Sequence, residues 1–331
     1  MVPVVLIALA TAPAFAVPIP SLDLVKLFDS ADVVAMGRIV DIYDAAVTTI
    51  DTVNGSHLAR QISGTMAVDQ YLKGTANAEE LHFTFALPDE PIGYGSVTPG
   101  TYRMLFLRRA GESFEVASVF YPALVAQPTS IGVSKSGLEG VVAVLRTVIL
   151  QDDASTDDRV SAVNALASTN AQSSQASLEA GLAVSNVAVR LRSAAALLML
   201  GNLRGLSLVE AALLSPNRPS DEIAVTLRGA IALGTRDAAA VPVLGRLVGA
   251  ADVETRRAAS FALSRVSSPD AAAALITRFN DSDFEVRYNA VRGVSRALGE
   301  VSLTPSEEDF RLDESFHVNL LRQGFAERGL K

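Results

Sequence analysis

The stretch D-V-E-T-R-R-A-A-S-F-A-L at residues 252–263 is followed 31 residues later by D-F-E-V-R-Y-N-A-V-R-G-V at residues 283–294. Both begin with aspartate, have arginine at the fifth position and continue with small and apolar residues. We take the fourth residue of this pattern as the start of a unit. Similar units then start near Asp158, Val189, Val225, Thr255 and Val286, at intervals of 31, 36, 30 and 31 residues. A regular period of this size predicts stacked supersecondary units.

Three columns of the repeat predict the packed side of a helix. The fifth column holds Ala162, Ser193, Gly229, Ala259 and Ala290. The eighth holds Ala165, Ala196, Ala232, Ala262 and Gly293, and the ninth holds Leu166, Leu197, Leu233, Leu263 and Val294. These columns fall at i, i+3 and i+4, so they form one stripe of an α-helix. Small residues allow two helices to approach closely, and the larger residue fills the remaining space.

Cap residues and partner helices complete the unit. Three residues before the starts stand Ser155, Asn186, Glu222, Asp252 and Asp283, and four of these five are favoured N-cap types. Apolar residues at helical spacing predict partner helices at 203–214, 237–247 and 269–279. The unit is therefore a helical hairpin of about thirty residues. We expect about five such repeats to form an α-solenoid over residues 152–299, with capping helices in the tail at 300–331.

The repeat resembles the HEAT-like family, in particular its short type, which also occurs in phycobilin lyases. The segments that carry the resemblance are V-R-Y-N-A-V at 286–291, T-R-R-A-A at 255–259 and A-V-P-V-L at 240–244. The resemblance covers roughly residues 155–299 and implies a solenoid fold.

The N-terminus predicts an exported protein. Residues 1–16 are almost wholly apolar and end in Ala14-Phe15-Ala16, a small-x-small cleavage site. The segment is shorter than the roughly 20 residues of a membrane-spanning helix. We therefore expect a signal peptide at 1–16, a periplasmic or secreted product, and no stable membrane insertion after cleavage.

Residues 21–127 predict a separate β domain. Strand-like runs occur at 33–42, 58–72, 80–87, 102–108 and 114–121, and turn signals such as Lys73-Gly74 and Pro99-Gly100 separate them. Five or six such strands favour a small antiparallel β-barrel or sandwich. Residues 128–151 then read as a linker and a capping helix at the start of the solenoid. The chain is thus predicted to be a multidomain protein with one β and one α part.

The β region resembles the netrin-like module, an OB-type barrel shared with tissue inhibitors of metalloproteinases. The segments are A-D-V-V-A-M-G-R-I-V at 31–40, V-D-Q-Y-L-K-G at 68–74 and P-G-T-Y-R-M-L-F-L at 99–107. The chain has no cysteine, whereas those inhibitors chelate the zinc of their target through an N-terminal cysteine. The resemblance therefore implies the fold but not that mechanism.

The sequence contains little that predicts chemistry. The absence of cysteine excludes thiolate catalysis and disulfides, and the three histidines, His57, His82 and His317, belong to no metal-binding spacing. Nucleotide-binding glycine loops and nucleophile elbows are also missing. A formal net charge of −8 argues against binding to nucleic acid. We therefore expect a protein without catalytic residues, cofactor or metal.

One column of arginines has two interpretations. Arg159, Arg190, Arg256 and Arg287 occupy the second column, near helix N-termini, where a cation is unfavourable. The favoured interpretation is a structural ladder to the acidic caps of adjacent repeats, Asp252 and Asp283. The alternative is a row of basic groups that binds an acidic ligand.

Three functions follow from these features. The first is a non-enzymatic scaffold that binds another protein or peptide on a solenoid face lined by second helices at 237–247 and 269–279. The second is a peptidase inhibitor or regulator that acts through the β domain, with its exposed loop at 89–99. The third is a lyase-like enzyme of the repeat family, which the missing cysteine and the scattered histidines disfavour.

Overall fold

The computed structural model describes residues 21–52, 55–76, 78–88, 97–111, 113–133, 135–169, 171–217, 219–299 and 304–328. The predicted signal peptide at 1–16 and most of the predicted loop at 89–99 lie outside these ranges.

Six strands form one N-terminal sheet, in the order β1-β2-β3-β5-β4-β6. They are β1 Val33–Thr52, β2 Gly55–Lys73, β3 Glu80–Pro88, β4 Tyr102–Ala110, β5 Ser113–Val116 and β6 Ala123–Val125. The β3–β5 pair is parallel and the other pairs are antiparallel. Because β4 also pairs with the first half of β1, the pairings run in a circuit from β1 through β2, β3, β5 and β4 back to β1.

The β1–β2 hairpin is longer than its apolar alternation predicts. The two strands pair from Val34 to Thr52, whereas β3 joins β2 only between residues 59 and 67. The outer part of the hairpin is therefore a two-stranded arm. Its side chains have little to pack against, and Val47 and Leu58 are 76% and 63% exposed.

Helices make up the rest of the described chain. Their bounds are α1 Leu24–Ser30, α2 Gly137–Leu150, α3 Thr156–Ala167, α4 Gln172–Gly181, α5 Val187–Met199, α6 Leu206–Leu214, α7 Asp221–Gly234, α8 Val241–Leu247, α9 Val253–Leu263, α10 Pro269–Ile276, α11 Phe284–Ala297, α12 Glu307–Leu312 and α13 Glu314–Glu327. None of these helices combines the length and apolar character needed to cross a membrane. The first helices of the repeats are α3, α5, α7, α9 and α11, and the second helices are α4, α6, α8 and α10.

Four of the predicted caps are confirmed. The side-chain oxygens of Ser155, Asn186, Asp252 and Asp283 each accept a hydrogen bond from the backbone N–H three residues later, at 2.9–3.1 Å. These bonds satisfy N–H groups of the first helical turn that otherwise lack a partner.

The predicted register of the third unit is wrong by two residues. The predicted packing positions Gly229 and Ala232 are only half-buried, and Leu233 is 54% exposed. The buried stripe of α7 is instead made by Leu227, Ala230 and Ile231, and its N-cap residue is Ser220 rather than Glu222. The sequence G-x-x-A-L at 229–233 copies the small-small-large pattern on the opposite side of the helix. The unit therefore starts at Ile223, and the intervals around it become 34 and 32 residues.

The sheet and the first repeats share one hydrophobic core. Val34, Met36 and Phe106 from one face of the sheet pack with Val141 of α2 and Leu166 of α3. A second core runs from α5 to α13, and Leu182 lies against both. A third core fills the other face of the sheet, with Ile39, Phe83 and Leu105.

The C-terminal helices pack on the last repeat. Phe310 of α12 is fully buried, with its ring centroid 5.7 Å from Phe284 and 5.6 Å from Tyr288. Val318, Leu321 and Phe325 of α13 are also buried. These side chains cover apolar surface that an end repeat would otherwise expose.

Candidate partner-binding surface of the repeats

The second-column arginines bind the end of the preceding helix. Arg190, Arg256 and Arg287 each donate from Nη1 to the backbone carbonyl six residues earlier, at 2.9, 3.1 and 2.8 Å. Arg159 donates from Nε to the carbonyl of Ile149 at 2.9 Å. Carbonyls after a helix C-terminus carry partial negative charge, so these cations are stabilised there.

Their carboxylate partners differ from the expected ones. Arg256 makes two hydrogen bonds to Asp281, at 2.9 and 3.1 Å, and Arg287 makes two to Glu314, at 2.7 and 2.9 Å. Arg159 lies 3.3 Å from Asp152. None of these acids is a repeat cap. The column arginines therefore do not pair with Asp252 and Asp283. Arg256 and Arg287 bind the carbonyl six residues earlier and reach a different acid of the following unit instead.

The acidic caps Asp252 and Asp283 pair with other arginines. Arg228 of α7 donates to Asp252 at 3.2 Å, and Arg257 of α9 donates to Asp283 at 3.0 and 2.6 Å. Each pair joins a first helix to the N-terminus of the next first helix. The hydrogen bonds from Arg257 lower the pKa of Asp283. Burial would raise the pKa of Asp252, but hydrogen bonds from Thr255 and Arg228 outweigh it, so this pKa is also lowered.

A groove runs along the first helices, beside these pairs. One concavity of about 460 Å³ lies between α7 and α9, and another of about 430 Å³ lies between α9, α11 and α12. The two share Arg257, Phe261 and Glu285 and are therefore continuous. We call this surface the first-helix groove and define it by Val225, Gly229, Ala258, Phe261, Phe284 and Tyr288.

The groove has an apolar floor, and charged side chains of both signs line its sides. Val225 is 62% exposed, and a Cβ atom added to Gly229 would meet no atom within 4 Å. The guanidinium groups of Arg265 and Arg292 lie over the rings of Phe261 and Tyr288, 5.4 and 5.6 Å from their centroids. Aromatic rings with cations above them are common in protein interfaces.

The second helices, which the sequence predicts to line the binding face, contact one another. On α8, Arg246 makes two hydrogen bonds to Glu210 of α6. Pro242 is exposed, and Gly245 lies 3.7 Å from the methyl group of Ala274, measured from an added Cβ. This surface joins neighbouring second helices, whereas the first-helix groove has half-buried aromatic rings along its wall.

The two histidines whose side chains are described, His82 and His317, lie on separate elements. His82 Nδ1 lies 3.2 Å from Thr65 Oγ1 on the sheet, and the ring of His317 packs 5.2 Å from Phe316 on α13. The side chain of His57 lies outside the described residues. Within the described part of the chain, no group of three or more His, Cys, Asp or Glu side chains is placed to hold a metal ion.

One protein-family model matches the part of the chain that contains the groove. Residues 218–295 match the family model described as HEAT repeats. No curated protein matches the chain. Among solved structures, an engineered protein from a structural genomics consortium is 17% identical, with 55% of this chain and 95% of that chain covered and a TM-score of 0.36. A designed armadillo repeat protein is 16% identical, with 55% and 97% covered and a TM-score of 0.36. The match to HEAT repeats thus covers α7 to α10 and most of α11, the helices that form most of the first-helix groove.

Proposed function

We propose that this protein is a non-enzymatic scaffold that binds another protein or a peptide in the first-helix groove. The observation that carries the proposal is the open apolar floor of the groove, with Val225 exposed and the rings of Phe261 and Tyr288 lining it. Exposed apolar surface bordered by charged groups is typical of protein interaction sites. Repeat solenoids use such extended surfaces for binding.

Two glycines allow a matched test. Gly229→Gln places a side chain in the groove, where nothing lies within 4 Å of the added Cβ. Gly245→Gln places the same side chain on the second helices, near Ala274. Both substitutions replace a helical glycine by a better helix former, so neither should destabilise the fold. Proteins crosslinked to the wild type in the native source are then quantified against both variants.

The proposal predicts that Gly229→Gln loses the crosslinked partner and that Gly245→Gln keeps it. The reverse result would move the site to the second helices. If both variants retain the partner, the helical repeats are not the binding site, and the β domain is favoured instead.

We also infer that residues 21–127 form an OB-type barrel. The closed circuit of pairings and the parallel β3–β5 pair support this, since a five-stranded OB-fold closes in a similar way. An experimental structure in which β4 does not pair with β1 would contradict the inference.

Export is proposed from the sequence of residues 1–16 alone. N-terminal sequencing of protein recovered from the periplasm or the medium should then find Val17 as the first residue. A retained Met1 would argue against cleavage.

A further inference from the structure

Four arginines near the first-helix groove form no ion pair with a carboxylate of the described residues. We call Arg236, Arg265, Arg292 and Arg296 the arginine row. Arg236 follows the end of α7, Arg265 follows the end of α9, and Arg292 and Arg296 lie in the last two turns of α11. No carboxylate of a described residue forms an ion pair with any of them.

The hydrogen bonds of the row leave most of its donors unused. Arg265 donates to the carbonyl of Ala232 at 3.0 Å, and Arg296 donates to the carbonyl of Ser264. Arg292 is half-buried, and its guanidinium lies over the ring of Tyr288. A guanidinium carries five N–H donors, so each of these groups can still bind a carboxylate through two parallel hydrogen bonds.

The cations of the row also repel one another. Burial lowers the pKa of Arg265, and the neighbouring charges of Arg236 and Arg296 lower it further. The C-terminal carbonyls of the first helices offset part of this repulsion. A bound anion would offset the rest, whereas Arg228 and Arg257, farther from the C-terminal ends of α7 and α9, already form ion pairs with Asp252 and Asp283.

Apolar side chains lie between these cations. The guanidinium groups of Arg265 and Arg292 lie over the rings of Phe261 and Tyr288. Arg236 lines a cavity together with Met199 and Leu233, which are 51% and 54% exposed. A ligand that contacts the arginine row and these side chains therefore needs negative charges with apolar groups between them, and its carboxylates must lie away from Glu285 and Glu307, which also line the groove.

We propose that the arginine row binds an acidic segment of a partner protein, in which carboxylates alternate with apolar side chains. The carboxylates pair with Arg265, Arg292 and their neighbours, and the apolar side chains enter the first-helix groove. This inference rests on the proposed use of that groove and adds the chemistry of its ligand.

The test uses the full chain and a short fluorescein-labelled peptide in which glutamate alternates with leucine. A second peptide has glutamine in place of every glutamate. Fluorescence anisotropy should show that the acidic peptide binds more tightly, and that its affinity falls as salt increases, since the screening length is about 10 Å at 0.1 M salt. Arg265→Gln/Arg292→Gln should weaken its binding about tenfold.

A matched double variant controls for net charge. Arg146→Gln/Arg278→Gln removes the same charge from α2 and from the end of α10. It should leave peptide affinity unchanged. Arg292→Gln alone should weaken peptide binding less than Arg265→Gln/Arg292→Gln does. Because Arg292 forms no side-chain hydrogen bond with a described residue, this single variant should change the thermal unfolding midpoint little, so that a folding defect of the double variant is recognised.

The outcomes separate this inference from the proposed function. If both peptides bind equally and Gly229→Gln alone abolishes binding, the groove is a binding site but the role of the arginine row is overturned. If the acidic peptide binds all variants equally, both proposals fail at this surface. If the acidic peptide does not bind, the inference is also overturned.

Discussion

Arg257 donates two hydrogen bonds to the carboxylate of Asp283, and one oxygen of that carboxylate also accepts from the backbone N–H of Val286. One acidic side chain thus starts α11 and ties α11 to α9. The same double role recurs at Asp252, which accepts from Arg228 and from the N–H of Thr255. Helix capping and repeat stacking therefore depend on the same groups.

Substitution of Asp283 should separate these two roles. Asparagine can still accept the hydrogen bond from the N–H of Val286, but it has no charge to pair with Arg257. Alanine can make neither interaction. We expect Asp283→Ala to cost about 2 kcal/mol of unfolding free energy and Asp283→Asn about 1 kcal/mol less, the worth of an N-cap. Urea unfolding measures both values. Equal losses would show that the cap contributes nothing beyond the ion pair.

The acidic caps should make stability fall in acid. The pKa values of Asp252 and Asp283 are lowered from the ordinary 3.8 in the folded protein. Their contribution is therefore present above about pH 4 and is lost as pH falls through the folded pKa values. Unfolding free energy, measured from about pH 5 downwards, should fall less steeply in Asp252→Asn/Asp283→Asn than in the wild type. Parallel curves would contradict this origin of the acid sensitivity.

Two helical glycines should respond oppositely to alanine. A Cβ at Gly293 would lie 2.2 Å from Leu275 Cδ1 and 2.8 Å from Ser264 Cα, so Gly293→Ala should cost about 1–3 kcal/mol. The matched control, Gly229→Ala, adds a Cβ into open space and should stabilise by about 0.5–1 kcal/mol. Thermal unfolding midpoints of the two variants should move in opposite directions. Movement in the same direction would show that the close approach at Gly293 is relaxed at little cost.

The C-terminal cap should depend on Phe310. Its ring is fully buried against Phe284 and Tyr288, so Phe310→Ala should cost about 3–5 kcal/mol. Phe316 is 58% exposed, and Phe316→Ala should change stability by less than about 0.5 kcal/mol. Hydrogen exchange should show that the Phe310 variant loses protection first in α11 to α13. Protection that stays unchanged there would mean that α12 does not support the last repeat.

The sequence predicted the repeats well because period and capping are local properties. N-cap bonds span three residues, so Asp252 and Asp283 could be recognised from their spacing alone. The register of α7 could not be recognised in this way. Gly229, Ala232 and Leu233 match the packing columns by residue type, and only burial shows that they lie on the open side of the helix.

The arginine contacts depended on geometry that spacing does not contain. Arg256 and Arg257 are adjacent in sequence and both reach the segment before α11, yet Arg256 binds Asp281 and Arg257 binds Asp283. Both acids lie within reach of a long arginine side chain, so the column position does not determine the partner. The arginine row was missed for a related reason. Arg265 and Arg296 lie at helix ends, outside the columns that define the repeat.

The shared core has a consequence for how this chain comes apart. Because Val34 and Phe106 of the sheet pack with Val141 and Leu166, the change from strands to helices does not separate two cooperative units. The two cores meet farther along, at α5, which gives Val189 and Leu197 to the first core and Leu191 and Leu198 to the second. A protease cut on either side of α5 would therefore take buried side chains away from one of the two cores. The helices that bear the groove are thus coupled to the sheet through this one helix.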